Sequence, residues 1–239
     1  MPAPGPAVRL GVLVPSSNSN AETLTAALLA DRSDVGVHYS RFRLPPDLGD
    51  AIDARVLGEA PSLLADVEPD AVAFHGTSAT WVGLDGDRQL CAELAASTGA
   101  PATTASLAVV EALAALAVSR VSVVFPGPAS ILPLIAEEYS RHGLDVVATS
   151  SPEAVLANPE IARLGADEIG ALMRPAFVSD AEAVVCIGTN LRSAYLAAAF
   201  EREFGLPVVD SAVATLWELL RLAGSAKPVT GWGRLMETV

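Results

Sequence analysis

The sequence predicts an α/β fold made of two like halves, each a parallel β-sheet flanked by helices. Two observations predict it. Short Val-rich runs alternate with longer Ala/Leu/Glu/Arg segments along the 239 residues, which is the pattern of parallel strands buried on both faces by helices. Three phrases also recur in the same order. "VLVPSSNSN" and "VVFPGPASI" align Pro15 with Pro126, "AFHGTS" and "VCIGTN" align Gly76 with Gly188, and "GAPATTASLAVVEAL" and "GLPVVDSAVATLWEL" align Gly99 with Gly205. The offsets are 111, 112 and 106 positions. The common look of βα units explains one such match, and three in order argue for an internal duplication.

Taken in order, the apolar runs predict strands at 9–14, 36–43, 71–75, 102–104, 121–125, 145–149, 183–187 and 208–209. The Ala/Leu-rich segments between them predict helices at 21–30, 51–67, 85–97, 107–116, 131–141, 166–178, 193–204 and 212–222. The stretch 101–118 is the most apolar, but Thr103, Thr104, Ser106 and Glu111 interrupt it. It reads as a strand end and a buried helix rather than a membrane span. The expected division is a first αβ domain of residues 1–117 plus 211–239, and a second of 118–210.

Composition narrows the function. With 51% hydrophobic and 18% charged residues the chain is globular. A net charge of −13 with no Lys/Arg stripe argues against nucleic acid as a partner. Two cysteines, Cys91 and Cys186, make neither a disulfide framework nor a zinc site. No His/Asp/Glu cluster has metal-ligand spacing, so no metal is expected. "GLDGDRQL" lacks the glycines and lysine of a phosphate loop, and no cofactor is expected. "MPAPGPAVRL" carries no secretory pattern, so the expected location is the cytoplasm, away from membranes. Self-association through apolar helices stays open.

Ligands of open parallel sheets collect at the carboxyl ends of the strands. The loops at Pro15, Gly76, Pro126 and Gly188 all leave such ends, so two facing halves would put them around one cleft. Glycine lets a ligand approach the backbone closely. Thr77 and Ser78 in one loop, and Thr189 and Asn190 in the other, offer polar side chains beside free N–H groups at a helix start, which suits a carboxylate. Ordinary helix capping explains either loop alone, and the symmetric pair favours an anion site. "PSSNSNAET" adds Ser16, Ser17 and Asn18, with Asn18 able to donate its amide; Glu22 three residues after Ser19 also resembles a capping box. His75 is a candidate general base or a satisfied core histidine. Trp81 is a pocket wall or a core residue.

These residues, with "LVPSSNSNAET", "GTNLRS" and "GWGRL", resemble the aspartate/glutamate racemase superfamily over nearly the whole chain, in its arylmalonate decarboxylase and maleate cis-trans isomerase branch. The resemblance implies two pseudo-symmetric flavodoxin-like half-domains with the active site between them. It also implies cofactor-free chemistry at the α-carbon of a small carboxylate, held by a dioxyanion hole. In the family each half can supply a cysteine just before the Thr-Ser or Thr-Asn pair, and the decarboxylase keeps only the second. In this chain the ungapped register puts glycine at both places, Gly76 and Gly188. Cys186 lies two residues earlier in the strand, and Gly127 and Pro128 stand where the family tends to place a tyrosine of the anion hole.

The expectation is a carboxylate-binding frame without its usual thiols. That disfavours two-base racemization and thiolate addition to a double bond. A decarboxylase-like lyase that forms an enediolate fits best, with His75, Cys186 or water as proton source. A maleate-type isomerase, a racemase or a hydrolase is the enzymatic alternative. A catalytically silent carboxylate-binding protein is the alternative of another class.

Overall fold

The computed structural model describes residues 5–45 and 52–238. In chain order the elements are β1 (Val8–Pro15), α1 (Ala21–Leu28), β2 (Val35–Phe42), α2 (Ala54–Leu57), α3 (Ala60–Ala65), β3 (Ala71–Phe74), α4 (Ala79–Val82), α5 (Leu84–Thr98), β4 (Ala102–Thr104) and α6 (Ala105–Ala115). Then follow β5 (Arg120–Val124), α7 (Leu132–Arg141), β6 (Asp145–Ser150), α8 (Asn158–Ile161), α9 (Ala166–Met173), β7 (Ala183–Cys186), α10 (Ala194–Phe204), β8 (Val208–Asp210) and α11 (Ser211–Leu222). The strands form two four-stranded parallel sheets, ordered β2-β1-β3-β4 and β6-β5-β7-β8. The second order is the first shifted by four strands, as a duplicated chain requires.

Side chains alternate across each strand and so sort into three cores. Ala71, Ala73, Val121, Val123, Val185 and Ile187 point into a shared interior with α6 and α11. Val72 and Phe74 point to the outer face of the first sheet, toward Leu64 of α3 and Leu90 and Leu94 of α5. Val184 and Cys186 point to the outer face of the second, among Ile169 and Met173 of α9 and Ala197 and Phe200 of α10. Helix α11 packs on α6 and is buried from Ser211 to Leu220. A helix apolar around most of its circumference belongs in a core. The halves are also tied by Glu138 of α7, whose carboxylate accepts the Leu84 N–H at the start of α5, 2.8 Å away.

The repeat extends to the helix ends. Gly99 after α5 and Gly205 after α10 both sit in the left-handed region, at φ +73° and +77°, where glycine pays no Cβ penalty. The helix expected at 51–67 is divided between α2 and α3 at Gly58; residue 51 lies outside the described residues. The helix expected at 166–178 ends at Met173 and tightens into a 3₁₀ turn at Arg174–Ala176, because Pro175 cannot donate to a continuing α-helix. The four-residue helices α4 and α8 have no counterpart in the sequence reading.

Candidate active site

The carboxyl ends of β1, β3, β5 and β7 surround a cleft of about 190 Å³. Pro15, Asn18, His75, Gly76, Thr77, Ser78, Pro126, Gly127, Gly188, Thr189 and Asn190 line it. The structure therefore brings these eleven residues singled out in the sequence together. Ser16 is exposed and lies off the lining, and Cys186 is 1% exposed and does not reach it. Trp81 is on the wall, with its ring 5.3 Å from that of Phe125. No charged side chain is among the described lining residues.

The wall after β3 has unused donors. The His75 N–H donates to the Leu13 carbonyl at 2.8 Å, and the next backbone N–H with an acceptor is that of Thr80, which donates to Thr77 at 3.1 Å. The N–H groups of Gly76, Thr77, Ser78 and Ala79 between them have no acceptor among the described residues. Nor do the Thr77 and Ser78 hydroxyls have a partner there; Ser78 sits at the N-cap of α4 without a side-chain cap bond. The Thr80 hydroxyl donates to the Thr77 carbonyl at 2.6 Å and fixes the turn.

The wall after β7 also leaves backbone N–H groups unused, on a turn that differs from the first in having its glycine at positive φ, and its side chains have different duties. Ile187 N–H donates to Val124 and Leu191 N–H to Gly188, both at 2.9 Å, leaving the Gly188, Thr189 and Asn190 N–H groups without an acceptor among the described residues. The Thr189 hydroxyl, however, donates to the His75 carbonyl at 3.2 Å and accepts from the Asn18 amide at 3.0 Å. The Asn20 amide donates to the Thr189 carbonyl at 3.1 Å. Asn190 accepts from the Ser19 N–H at 3.0 Å and donates to the Asn158 carbonyl at 3.0 Å. Asn18 itself caps the start of α1 by accepting from Asn20 and Ala21. Arg41 holds the β1–α1 loop by donating to the carbonyls of Ser16 and Asn18 at 3.1 and 3.0 Å.

The glycines of the two repeated loops, Gly76 and Gly188, are enclosed. A Cβ at Gly76 would lie 2.5 Å from Cε1 and Cζ of Phe74. Phe74 is fully buried and packs on Phe42 with ring centroids 5.4 Å apart. Gly127 repeats the arrangement, since its Cβ would lie 2.5 Å from Cζ of Phe125. Gly188 has φ +106° and would set a Cβ 3.2 Å from Cγ of Pro126, a conformation that L side chains rarely adopt. Two phenyl rings and one strained turn thus take up the room that side chains would need.

His75 is 4% exposed, and neither ring nitrogen has a partner among the described residues. Burial lowers its pKa to about 4, so the imidazole is neutral at pH 7. Burial first, and then the Asp210 carboxylate, pushes the Cys186 thiol up, so it stays protonated. Period-two alternation sets Cys186 on the Gly188 side of its strand as expected, but that side is the packed outer core. Sequence reasoning missed Asn158, Phe74 and Phe125, all on the lining. The "NP" turn signal at 158–159 marks the first, while the two phenylalanines read as ordinary strand ends.

Three similarities to known proteins accompany this geometry. The maleate isomerase of Nocardia farcinica is 29% identical over 241 residues, covering 95% of both chains. The arylmalonate decarboxylase of Bordetella bronchiseptica is 27% identical over 233 residues, covering 95% of this chain and 96% of that one. A solved structure of a variant of the Nocardia isomerase with a covalently bound succinylcysteine intermediate superposes with a TM-score of 0.86 at 25% identity, over 97% of this chain and 99% of that one. The family model described as arylmalonate decarboxylase matches residues 11–236. Two repeated sheets, a cleft between repeated loops and a match spanning nearly every described element place this chain in the arylmalonate decarboxylase family of enzymes, within the aspartate/glutamate racemase superfamily.

Proposed function

We propose that the cleft decarboxylates a small malonate-type diacid without cofactor or thiol. The observation that carries this is the set of unused backbone and hydroxyl donors at Gly76, Thr77 and Ser78, in a cleft whose described lining has no cysteine; the reading takes Gly76 and Gly188 to stand where the family's thiols would be. One carboxylate accepts from those N–H groups and from the N–H groups of Gly188 and Thr189. The other lies against the apolar wall of Trp81, Leu156 and Ile161, where loss of solvation disfavours it. The bond from the α-carbon to that carboxylate breaks, CO₂ leaves, and the electron pair delocalises into the retained carboxylate as an enediolate. Neutral donors placed where this charge develops stabilise it.

A proton then returns to carbon. His75 is neutral at pH 7 and is not an imidazolium acid there. Cys186 is buried behind the wall. Water is therefore the proton source in this reading. The isomerase reading draws on the 29% identical relative. The succinylcysteine seen in the solved isomerase variant requires a thiol at the substrate, and no cysteine is among the described lining residues of this cleft.

Incubation with aryl- and alkylmalonates in deuterated water, followed by NMR, tests the proposal. The expected products are CO₂ and a monoacid deuterated at the α-carbon, racemic when that carbon is stereogenic because no side-chain acid defines one face. Conversion of maleate to fumarate would favour the isomerase. Saturable stabilisation by the diacids with no product would make the chain a carboxylate-binding protein.

A further inference from the structure

Behind the bridge of Asn158 and Asn190 a second depression opens to solvent, lined by Ser17, Ser19, Pro159, Ala162, Arg163 and Arg192. We propose that it is an oxyanion subsite, taking a carboxylate or phosphate group at the outer edge of the cleft.

The argument starts from charge. The chain carries −13, and its arginines are largely engaged with carboxylates, as at Arg32–Asp34, Arg120–Glu182 and Arg221–Glu218. Arg163 and Arg192 have no carboxylate partner among the described residues, yet they line the same small depression. Nε of Arg192 is buried and has no acceptor among those residues. A guanidinium is a donor that never loses its charge, and its planar fork matches an oxyanion.

The rest of the lining adds donors and no competing negative group. The Ser17 oxygen accepts from the Asn158 amide at 2.7 Å, leaving its own proton to give. The Ser19 hydroxyl has no partner among the described residues, and its N–H is fixed by Asn190 at 3.0 Å. Pro159 and Ala162 bring no polar side chain. Two hydroxyls on the braced β1–α1 loop and guanidinium groups following α8 and β7 suit a ligand that only accepts hydrogen bonds.

Asn158 and Asn190 line the main cleft, and Pro159, next in the chain after Asn158, and Arg192, two residues after Asn190, line the depression. The bound group has two sources, a free oxyanion or the distal acid of a longer ligand whose first carboxylate occupies the cleft. The second source rests on the proposed function; the subsite itself does not.

The test is titration of the full chain with inorganic phosphate at low ionic strength, read by calorimetry and by amide NMR at Ser17, Ser19 and Arg192. Saturable binding is expected, weakened at least about tenfold in the R163Q/R192Q double variant and changed less than about twofold by Thr77→Val. A parallel titration with glutarate separates the sources. One dissociation constant shared by the Ser19 and Gly188 signals indicates a ligand spanning both sites, and shifts at Ser19 alone indicate a free oxyanion; either supports the subsite. Absence of saturable phosphate binding, equal affinity in the double variant, or shifts confined to Gly76 and Gly188 overturns it. Arg163 is exposed and neither arginine has an ionic partner among the described residues, so the variants fold, which a thermal melt verifies. Failure here leaves deuterium incorporation untouched, and failure of turnover leaves phosphate binding untouched.

Discussion

The two cleft walls descend from one repeated phrase, and they divide the work between them. After β3, Thr77 and Ser78 face the cleft with hydroxyls that have no partner among the described residues. After β7, the equivalent Thr189 and Asn190 are committed to Asn18, His75, Ser19 and Asn158. The backbone turns differ in detail, with Gly188 but not Gly76 at positive φ, yet both leave N–H groups without an acceptor among the described residues. The two repeats thus both carry unused backbone N–H groups, but only one keeps unpartnered cleft-facing hydroxyls, while the other pair of side chains fastens the halves together. Sequence symmetry predicted equal roles because it records residue type and position, and not which partner each polar atom finds.

The largest expected effect tests that division. Thr189→Val leaves the Asn18 amide, 3% exposed, without its acceptor and removes the bond to the His75 carbonyl. A loss of about 3 kcal/mol in stability by denaturant unfolding is expected. The matching Thr77→Val should change stability by less than about 0.5 kcal/mol and weaken binding of a malonate-type diacid by about 1–3 kcal/mol. Equal losses of stability in the two variants would dissolve the distinction between a fastening wall and a binding wall.

The next comparison lies deeper in each half. Asp87 and Thr104 in the first half correspond to Ser193 and Asp210 in the second, so the carboxylate and hydroxyl have exchanged places. Asp210 accepts from the Ser193 hydroxyl and caps α11 by accepting from Ala212 and Val213 at 2.8 and 3.1 Å. Asp87 is 4% exposed, and its Oδ2 completes no hydrogen bond among the described residues. Burial raises its pKa to about 6, and the nearby Thr104 and Ser106 hydroxyls offset this only in part. The folded state then holds a proton that the unfolded chain has released between the ordinary value of 3.8 and about 6. Stability falls as pH rises through that window and levels off above it. Asp87→Asn removes the dependence, so the variant should gain on the order of 2 kcal/mol relative to wild type between pH 4 and pH 7. Urea unfolding at both pH values measures it, and a pH-independent difference would mean that Asp87 is ionised in the fold.

A third effect concerns the closed glycine positions. Gly76→Cys drives a Cβ into the Phe74 ring, and overpacking of that kind costs about 1–3 kcal/mol. Phe74→Leu opens the room, so the double variant should lose about 1 kcal/mol or more less than the sum of the singles. Additive losses in a double-mutant cycle would show that the ring moves aside without cost.

Much of this was legible in the sequence, for identifiable reasons. The eight expected strands match the fold within a residue; the central ones, β1, β3, β5 and β7, were legible because strands buried on both faces leave continuous apolar segments. The "GTS" and "GTN" phrases led to both walls, because a strand end followed by glycine and a hydroxyl constrains the backbone locally. The filling of the glycine positions was hidden, because Phe74 and Phe125 precede Gly76 and Gly127 by two residues and only the fold of the turn swings the rings beneath them. The Asn18–Thr189 bridge was hidden as well, because it joins residues 171 positions apart.

The smallest effect concerns the remaining thiol. Cys186 is on the same side of its strand as Gly188, and alternation alone would aim it toward the cleft. In the fold that side is already filled by Met173, Ala197 and Phe200, which hold Cys186 at 1% exposure. Burial and the Asp210 charge both favour the protonated form, so the sulfur has neither the reach nor the ionisation of a nucleophile. Cys186→Ala should therefore cost about 1 kcal/mol of stability through a small void and leave kcat for malonate decarboxylation within about twofold. The two readouts separate packing from chemistry. An inactive variant with an unchanged melting temperature would mean that β7 shifts during turnover to bring sulfur to the substrate, and the division between the walls would then describe only the resting enzyme.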